Sequence, residues 1–333
     1  MNKSASEEEL PTNLPIDVLV VEDVWGDAFD LSKEQLNFAY HPDLWNLQDD
    51  LKEALKTAKA LVVRNRTSVS RELLASAPML KIVARAGVGL DNIDIIAADD
   101  LGIVVVAALG ANATSVGEHA VATAFAFARD IVNQDNETKE GSWDRRLGFE
   151  LSGRSWGVIG LGATGRETAR ISHAIGMKIY GYDPMIAKER VIEGVDVRVN
   201  SIDELLGECD IVSLHVPLTP STANMVDASF LSKMRKGSYI INSSRGGLVD
   251  EDALLQALNN GHLGGAGLDV RVSEPPKPHP LNNHEKVIVS PHVAGLTYES
   301  QSRITNILAS EIELVLSGEK ATYNVGIHKL PDR

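Results

Sequence analysis

Arg245, Glu274 and His292 each stand just past a short apolar run in the second half of a 333-residue chain. Ser243-Ser244-Arg245-Gly246-Gly247 follows Tyr239–Asn242. Asp269-Val270-Arg271-Val272-Ser273-Glu274-Pro275-Pro276 follows Gly265–Leu268, and Ser290-Pro291-His292-Val293-Ala294-Gly295 follows Val287–Val289. A guanidinium can grip a carboxylate through its planar fork. An imidazole can give and take a proton near neutral pH, and a carboxylate beside it stabilises the imidazolium. Taken singly, each is an ordinary loop residue. Together they stand where open parallel sheets bind ligands, beyond the carboxyl ends of strands.

The elements that must position them begin with Gly157-Val158-Ile159-Gly160-Leu161-Gly162-Ala163-Thr164-Gly165. This is GxGxxG between an apolar strand and an expected helix, Arg166–Ile175. A second strand, Lys178–Tyr182, ends at Asp183, at about the distance expected of a ribose-reading acid. Gly160 permits the tight turn, Gly162 lets backbone approach a pyrophosphate, and Gly165 lets helix and strand pack closely. Ala163 and Thr164 complete the loop, where free N–H groups and the helix dipole favour an anion. Asp183 can accept the ribose hydroxyls of NAD and would repel the 2′-phosphate of NADP.

Apolar runs recur along the chain at strand length. Val18–Val21, Leu61–Val63, Ile82–Ala84 and Ile103–Val106 alternate with amphipathic stretches such as Leu51–Ala60 and Ser70–Ala75. A second series comprises Gly157–Ile159, Ile179–Tyr182, Ile211–Leu214, Tyr239–Asn242, Ala266–Val270 and Val287–Val289. The pattern predicts an α/β protein with two doubly wound parallel-sheet domains, Rossmann-like or flavodoxin-like, and a cleft between them. The expected divisions are a disordered tail over 1–15, a discontinuous substrate domain over 16–114 plus 299–333, and a dinucleotide-binding domain over 115–298. A long apolar helix is expected from about Val116 to Asn133, with Ser115 and Glu118 as its capping box. Its apolar faces suit a domain junction or a subunit interface. Glu118-His119 is assigned to that capping turn, and Trp143, Arg145 and Arg146 to a linker or interface. A last helix is expected over Glu299–Ser317.

The composition limits the function. Lys plus Arg number 32 and Asp plus Glu 46, for a net charge of −14, which argues against a nucleic-acid partner. No run approaches the roughly 18 apolar residues of a membrane helix, and the acidic start MNKSASEEEL lacks a signal peptide's apolar core. These features predict a cytoplasmic protein with no membrane partner. The single cysteine, Cys209, precludes an intrachain disulfide and is expected to be an inert small hydrophobe. No HExxH is present, and no metal is expected.

These residues resemble those of the D-isomer-specific 2-hydroxyacid dehydrogenases, most closely the short D-3-phosphoglycerate dehydrogenase type. The resemblance runs from Val18 to Tyr323. It rests on Ala84-Arg85-Ala86-Gly87-Val88-Gly89-Leu90-Asp91-Asn92-Ile93-Asp94, the glycine loop, Leu214-His215-Val216-Pro217-Leu218-Thr219, Ser244-Arg245-Gly246-Gly247, Asp269 to Pro275, and Pro291-His292-Val293-Ala294-Gly295. It implies NAD as cofactor and a small anionic 2-hydroxy or 2-oxo acid as substrate. Arg245 then polarises the substrate, His292 is the acid/base, and Glu274 orients the imidazole. Asp269 reads the nicotinamide carboxamide, and His215, Pro217, Thr222, Ser243, Ser244 and Gly295 line the cofactor. Gly87, Val88 and Gly89 hold the substrate carboxylate by backbone N–H groups, and Arg64 reaches its far end. The family habit is a homodimer built through the long helix.

Departures refine the expectation. Glu274 stands where the formate dehydrogenase branch carries glutamine, which argues against that branch. The end at Arg333 leaves no regulatory domain to expect. Val106–Ala113 departs from the usual Asn-Thr-Pro start. The substrate remains open among 3-phosphoglycerate, glycerate or hydroxypyruvate, lactate-like and sulfonated acids, with Arg64 and Arg66 favouring a second anionic group. Two alternatives are an NAD-sensing corepressor-like binding protein and a phosphite dehydrogenase.

Overall fold

Apolar runs become strands in both halves of the chain, and each half closes its own sheet. The computed structural model describes residues 16–25, 29, 36–186, 197–199 and 201–326. The tail expected over 1–15 lies outside the described residues. Contacts divide the chain into Met1–Asn112 with Thr297–Arg333, here unit 1, and Ala113–Leu296, unit 2.

Unit 1 contains β1 (Val18–Val20), β2 (Phe38–Tyr40), β3 (Ala60–Val63), β4 (Ile82–Arg85) and β5 (Val104–Ala107). They form a parallel sheet in the order β2-β1-β3-β4-β5, which reverses between β1 and β3. Strand periodicity sends alternate side chains to opposite faces. Val18, Val20, Ala60, Val62 and Ile82 pack against Ile304, Leu308 and Ile312 of the Tyr298–Ser317 helix. Leu19, Leu61, Val63 and Val83 pack against Leu51, Leu55, Leu73 and Leu74 on the other face. Burial on both faces explains why these runs are continuously apolar. The Tyr298–Ser317 helix therefore belongs to unit 1. Thr297 caps it reciprocally with Ser300, and Gly318 ends it at φ 88°. Buried Glu311 then accepts the N–H groups of Thr322 and Tyr323 at 2.8 and 3.0 Å. That holds the returning chain where Asn324 bridges Val106 of β5.

Unit 2 contains β6 (Ser155–Ile159), β7 (Lys178–Tyr182), β8 (Val197–Val199), β9 (Ile211–Leu214), β10 (Tyr239–Asn242), β11 (Gly265–Leu268) and β12 (Val287–Val289). Its parallel sheet runs β12-β11-β10-β9-β6-β7-β8 and reverses between β6 and β9. The expected doubly wound α/β class is therefore found, with the strand order of a dinucleotide-binding sheet in unit 2.

The long helix is corrected in two ways, in its extent and in its cap. It forms as Ala113–Ala128 and Ile131–Lys139, interrupted at Asp130, whose φ is 50°. Ser115 is buried inside the first helix rather than capping it. Packing wins over the local capping signal here: a Cβ on Gly117 would lie 3.0 Å from Thr168 N, so the helix docks closely on the Ala163–Ala174 helix. Most of its apolar surface is also covered within unit 2. Ala120, Val121 and Ala124 share a core with Trp156, Val158 and Ala169, and Phe125 remains 40% exposed. The glycines of β11 serve the same contact. A Cβ on Gly267 would stand 2.5 Å from Thr123 Cγ2.

Candidate active site

The glycine loop folds as its spacing requires. Gly160 sits at φ 93°, a conformation side chains disfavour, and a Cβ there would lie 2.5 Å from His215 O. A Cβ on Gly165 would strike Gly160 O at 1.9 Å, so only glycine lets the Ala163–Ala174 helix start so close to β6. A Cβ on Gly162, the residue before the helix, would meet nothing within 4 Å. Open space therefore adjoins the bare backbone at a helix N-terminus, which is what a pyrophosphate needs. Asp183 closes the loop: its carboxylate accepts Leu161 N at 2.8 Å and Met185 N at 2.9 Å. Each oxygen keeps a further lone pair for a ribose hydroxyl.

Other cofactor-side residues gather round these strand ends. His215 Nε2 bonds Ser213 Oγ at 3.0 Å, and burial pushes its pKa down to about 4. It is neutral at pH 7 and adds no positive charge to the loop. Thr222 Oγ1 donates to Pro217 O at 2.7 Å and fixes that turn. Ser244 Oγ donates to Val216 O at 2.5 Å, tying the β9 and β10 loops together. Ser243 Oγ is buried without a hydrogen-bond partner among the described residues, an acceptor and donor for a bound group. The site thus fits a dinucleotide on its own geometry.

Arg245, Glu274 and His292 are brought together. His292 Nδ1 lies 2.7 Å from Glu274 Oε2. A carboxylate can only accept, so Nδ1 carries the proton and Nε2 is left to face a reactant. Burial works to raise the Glu274 pKa. The hydrogen bond and charge of His292, the Arg271 N–H and the Arg245 guanidinium outweigh it and hold the carboxyl below its ordinary 4.5. The Arg245 charge therefore acts on the Glu274 carboxylate. Arg245 Nη1 donates to Ser244 O at 2.7 Å, and Asn242 Nδ2 holds the Arg245 carbonyl at 2.9 Å.

His292 has φ 56°, rare for a residue with a side chain. Asp269, 3% exposed, sustains that turn. Oδ1 accepts Ser290 Oγ at 2.5 Å and Val293 N at 2.9 Å, and Oδ2 accepts Ala294 N at 2.8 Å. Arg271 braces the segment before Glu274. Its Nε and Nη2 grip both oxygens of Glu251 at 2.7 and 2.9 Å, and Nη1 meets Asn282.

His119 corrects the expectation that it belongs to a capping turn. It lies in the body of the Ala113–Ala128 helix, with Nε2 3.3 Å from Ser290 Oγ and 3.9 Å from Asp269 Oδ1. It belongs to the polar cluster behind His292. No local spacing rule points to this contact, which the packing of the helix on β11 creates.

The substrate-side residues lie in unit 1. Arg64 follows β3, with Cζ 4.5 Å over the Trp25 ring. Gly87, Val88 and Gly89 follow β4. Gly87 leaves room for the Arg85 guanidinium, since a Cβ there would stand 1.5 Å from Arg85 Nη1. Cys209 is fully buried, and burial pushes its thiol pKa far up, so it is inert as expected. Among the described residues no group of three or more His, Cys, Asp or Glu can hold a metal, and no helix is long and apolar enough to cross a membrane.

The strand order, the glycine loop and the Arg–Glu–His cluster define a dinucleotide-dependent α/β protein. A family model described as D-isomer specific 2-hydroxyacid dehydrogenase, NAD binding domain, matches residues 121–294, and the chain belongs to that family. The matched domain is that family's NAD-binding domain, so NAD is the cofactor. The chain is 40% identical over 319 residues to the D-3-phosphoglycerate dehydrogenase of Methanocaldococcus jannaschii, covering 95% of this chain and 60% of that protein. It spans between half and three fifths of the length of such curated relatives. Among solved structures it resembles the TT0316 protein of Thermus thermophilus, with TM-score 0.87, 30% identity, and coverage of 93% and 100%. It also resembles a D-lactate dehydrogenase of Aquifex aeolicus complexed with NAD and lactic acid, with TM-score 0.79, 28% identity, and coverage of 91% and 96%.

Asp183 gives a coenzyme prediction. Asp183→Asn keeps an acceptor oxygen for Leu161 N but removes the charge just past β7. The ratio of kcat/KM with NAD to that with NADP should fall about tenfold or more, read from initial rates with each coenzyme. An unchanged ratio would remove Asp183 from coenzyme choice.

Proposed function

We propose that the protein interconverts a small D-2-hydroxy acid and its 2-oxo acid with NAD, and that the substrate carries a second anionic group, as in 3-phosphoglycerate and phosphohydroxypyruvate. The observation that carries this reading is the 2.7 Å His292–Glu274 pair beside Arg245 at the strand ends of the dinucleotide sheet. Bound NADH supplies the hydride to C2. Arg245 binds the 2-oxo carboxylate through its planar fork and draws charge from the carbonyl. His292 Nε2 gives the developing alkoxide its proton in reduction and takes it back in oxidation. Glu274 holds the ring by Nδ1 and stabilises the imidazolium. Asp269 fixes the turn and keeps lone pairs for a carboxamide. The N–H groups of Gly87, Val88 and Gly89 are assigned the substrate carboxylate, and Arg64 the second anionic group.

The curated relatives named D-3-phosphoglycerate dehydrogenase support the substrate. We read the protein as cytoplasmic and homodimeric. Exposed Phe125, Ile131, Val132, Trp143 and Leu147 on unit 2 support the second point. Initial rates of NADH loss with phosphohydroxypyruvate, hydroxypyruvate, glyoxylate, pyruvate and sulfopyruvate test the reading. Phosphohydroxypyruvate should give the highest kcat/KM. Silence across the panel with NADH still bound would refute it.

A further inference from the structure

Glu274 meets His292 through one oxygen and leaves the other to the chain. Oε2 lies 2.7 Å from His292 Nδ1, and Oε1 accepts the backbone N–H of Arg271 at 3.3 Å. The plane of the Glu274 carboxylate is therefore set relative to Arg271. That residue stands just past β11 and is 8% exposed. Its guanidinium is held from two sides. Nε and Nη2 meet Glu251 Oε1 and Oε2 at 2.7 and 2.9 Å, and Nη1 donates to Asn282 Oδ1. Glu251 opens the Glu251–Asn259 helix, and its Oε1 also accepts Val272 N at 3.3 Å. Asn282 Nδ2 in turn donates to Lys277 O at 3.0 Å. One side chain thus ties down the loop on both sides of Glu274.

The Arg271 backbone has a second neighbour. A Cβ on Gly246 would lie 1.9 Å from Arg271 C and 2.0 Å from its O, so the peptide after Arg271 packs directly on the residue after Arg245. Asn242 joins the same two loops: its Nδ2 donates to Arg245 O at 2.9 Å, and its carbonyl accepts Asp269 N at 3.0 Å. The loops that carry Arg245 and Glu274 therefore meet at Arg271.

Stability alone does not call for this pair. Taking two charges out of water costs about what their attraction returns, and apolar groups of similar volume often serve as well. A two-pronged Arg–carboxylate pair supplies direction instead, since two parallel bonds fix one plane against the other. The Arg271 hydrogen bonds, against the opposing effect of burial, hold the Glu251 carboxyl below its ordinary 4.5.

We propose that Arg271 and Glu251 are positioning residues: their ion pair sets the Glu274 loop against the Arg245 loop, and so places the acid/base His292 and the substrate-gripping Arg245 around one reactant. This rests on the reaction proposed above and deepens it, because both residues act through Glu274 and Arg245.

The test compares wild type, Arg271→Met, Arg271→Lys and the double variant Glu251→Met with Arg271→Met. Three properties are read: the melting temperature, the kinetics with phosphohydroxypyruvate and NADH, and the His292 Nδ1 proton resonance in 15N-histidine protein, assigned by its loss in His292→Gln. Arg271→Met leaves Glu251 buried without its cation and should melt lower. The double variant removes both charges and should melt close to wild type. Its kcat should nevertheless stay about tenfold or more below wild type, the scale of a misplaced group, with KM for NADH moved less than about twofold. The His292 proton, drawn downfield by its bond to a carboxylate, should shift upfield in the double variant. A double variant with wild-type kcat, or with an unshifted proton, would make the pair merely structural and overturn the proposal. If the double variant fails to fold, Arg271→Lys decides by the same two readouts, because an ammonium lacks the fork. Wild-type values in it overturn the proposal. If wild type reduces no 2-oxo acid, the reaction fails as read. The His292 proton then decides alone: its shift sustains the positioning pair, and an unshifted signal overturns it.

Discussion

Replacing His292 with glutamine should lower kcat/KM for 2-oxo acid reduction by about a hundred- to ten-thousand-fold, the range of general acid–base catalysis. Glutamine retains bulk and hydrogen bonding but cannot give up a proton to an alkoxide. NADH affinity should stay within about twofold, because the glycine loop and Asp183 are untouched. The pH profile separates this from misfolding. Glu274 is held below its ordinary 4.5, so its pairing with His292 is fully present above that value in stability terms. The contribution is lost only as pH falls through the lower folded value. The wild-type profile should therefore show no carboxyl limb between pH 7 and about 4.5. Glu274→Gln should cut kcat about tenfold by leaving the ring less firmly oriented. A wild-type rate in His292→Gln would contradict the assignment.

Replacing Arg245 with glutamine should cost about 2–5 kcal/mol in transition-state binding, or roughly thirty- to several-thousand-fold in kcat/KM. The loss combines the missing carboxylate grip with a carbonyl left unpolarised. Arg245→Lys should recover little, since an ammonium is a point charge without the two-pronged fork. Glu274 should also respond. Arg245 is one of the groups that depress its pKa, so the acid edge of the pH profile should move upward in Arg245→Gln. Rates with 2-oxo acids across pH 4 to 8 read both effects. A lysine variant with full activity would show that only the charge matters.

Local rules carried far along this chain. Gly160, Gly162, Gly165 and Asp183 announce their geometry because each meets a backbone constraint within a few residues. The strands Ile211–Leu214, Tyr239–Asn242 and Val287–Val289 form over the very residues their apolar runs predict. The strands β2 and β8 were not legible, since Phe38-Ala39-Tyr40 and Val197-Arg198-Val199 lack the continuous β-branched run of Val287–Val289. The break at Asp130 was hidden because an aspartate at φ 50° leaves no glycine or proline to mark it. Long-range polar pairs were equally invisible. Glu22 meets Thr67 across 45 positions and Arg271 meets Glu251 across 20, and no spacing rule links them. His119 looked like a capping residue because its local sequence obeys that pattern. Only the packing of its helix on β11 brings it to Ser290.

The most direct test of the central claim follows the hydrogen itself. The purified protein is supplied with phosphohydroxypyruvate and NADH deuterated on both positions of C4, and the product is isolated. The account predicts one deuterium at C2 of the hydroxy acid, D configuration, and loss of that product in His292→Gln. NADH binding without any labelled hydroxy acid, or product of the opposite configuration, would contradict it.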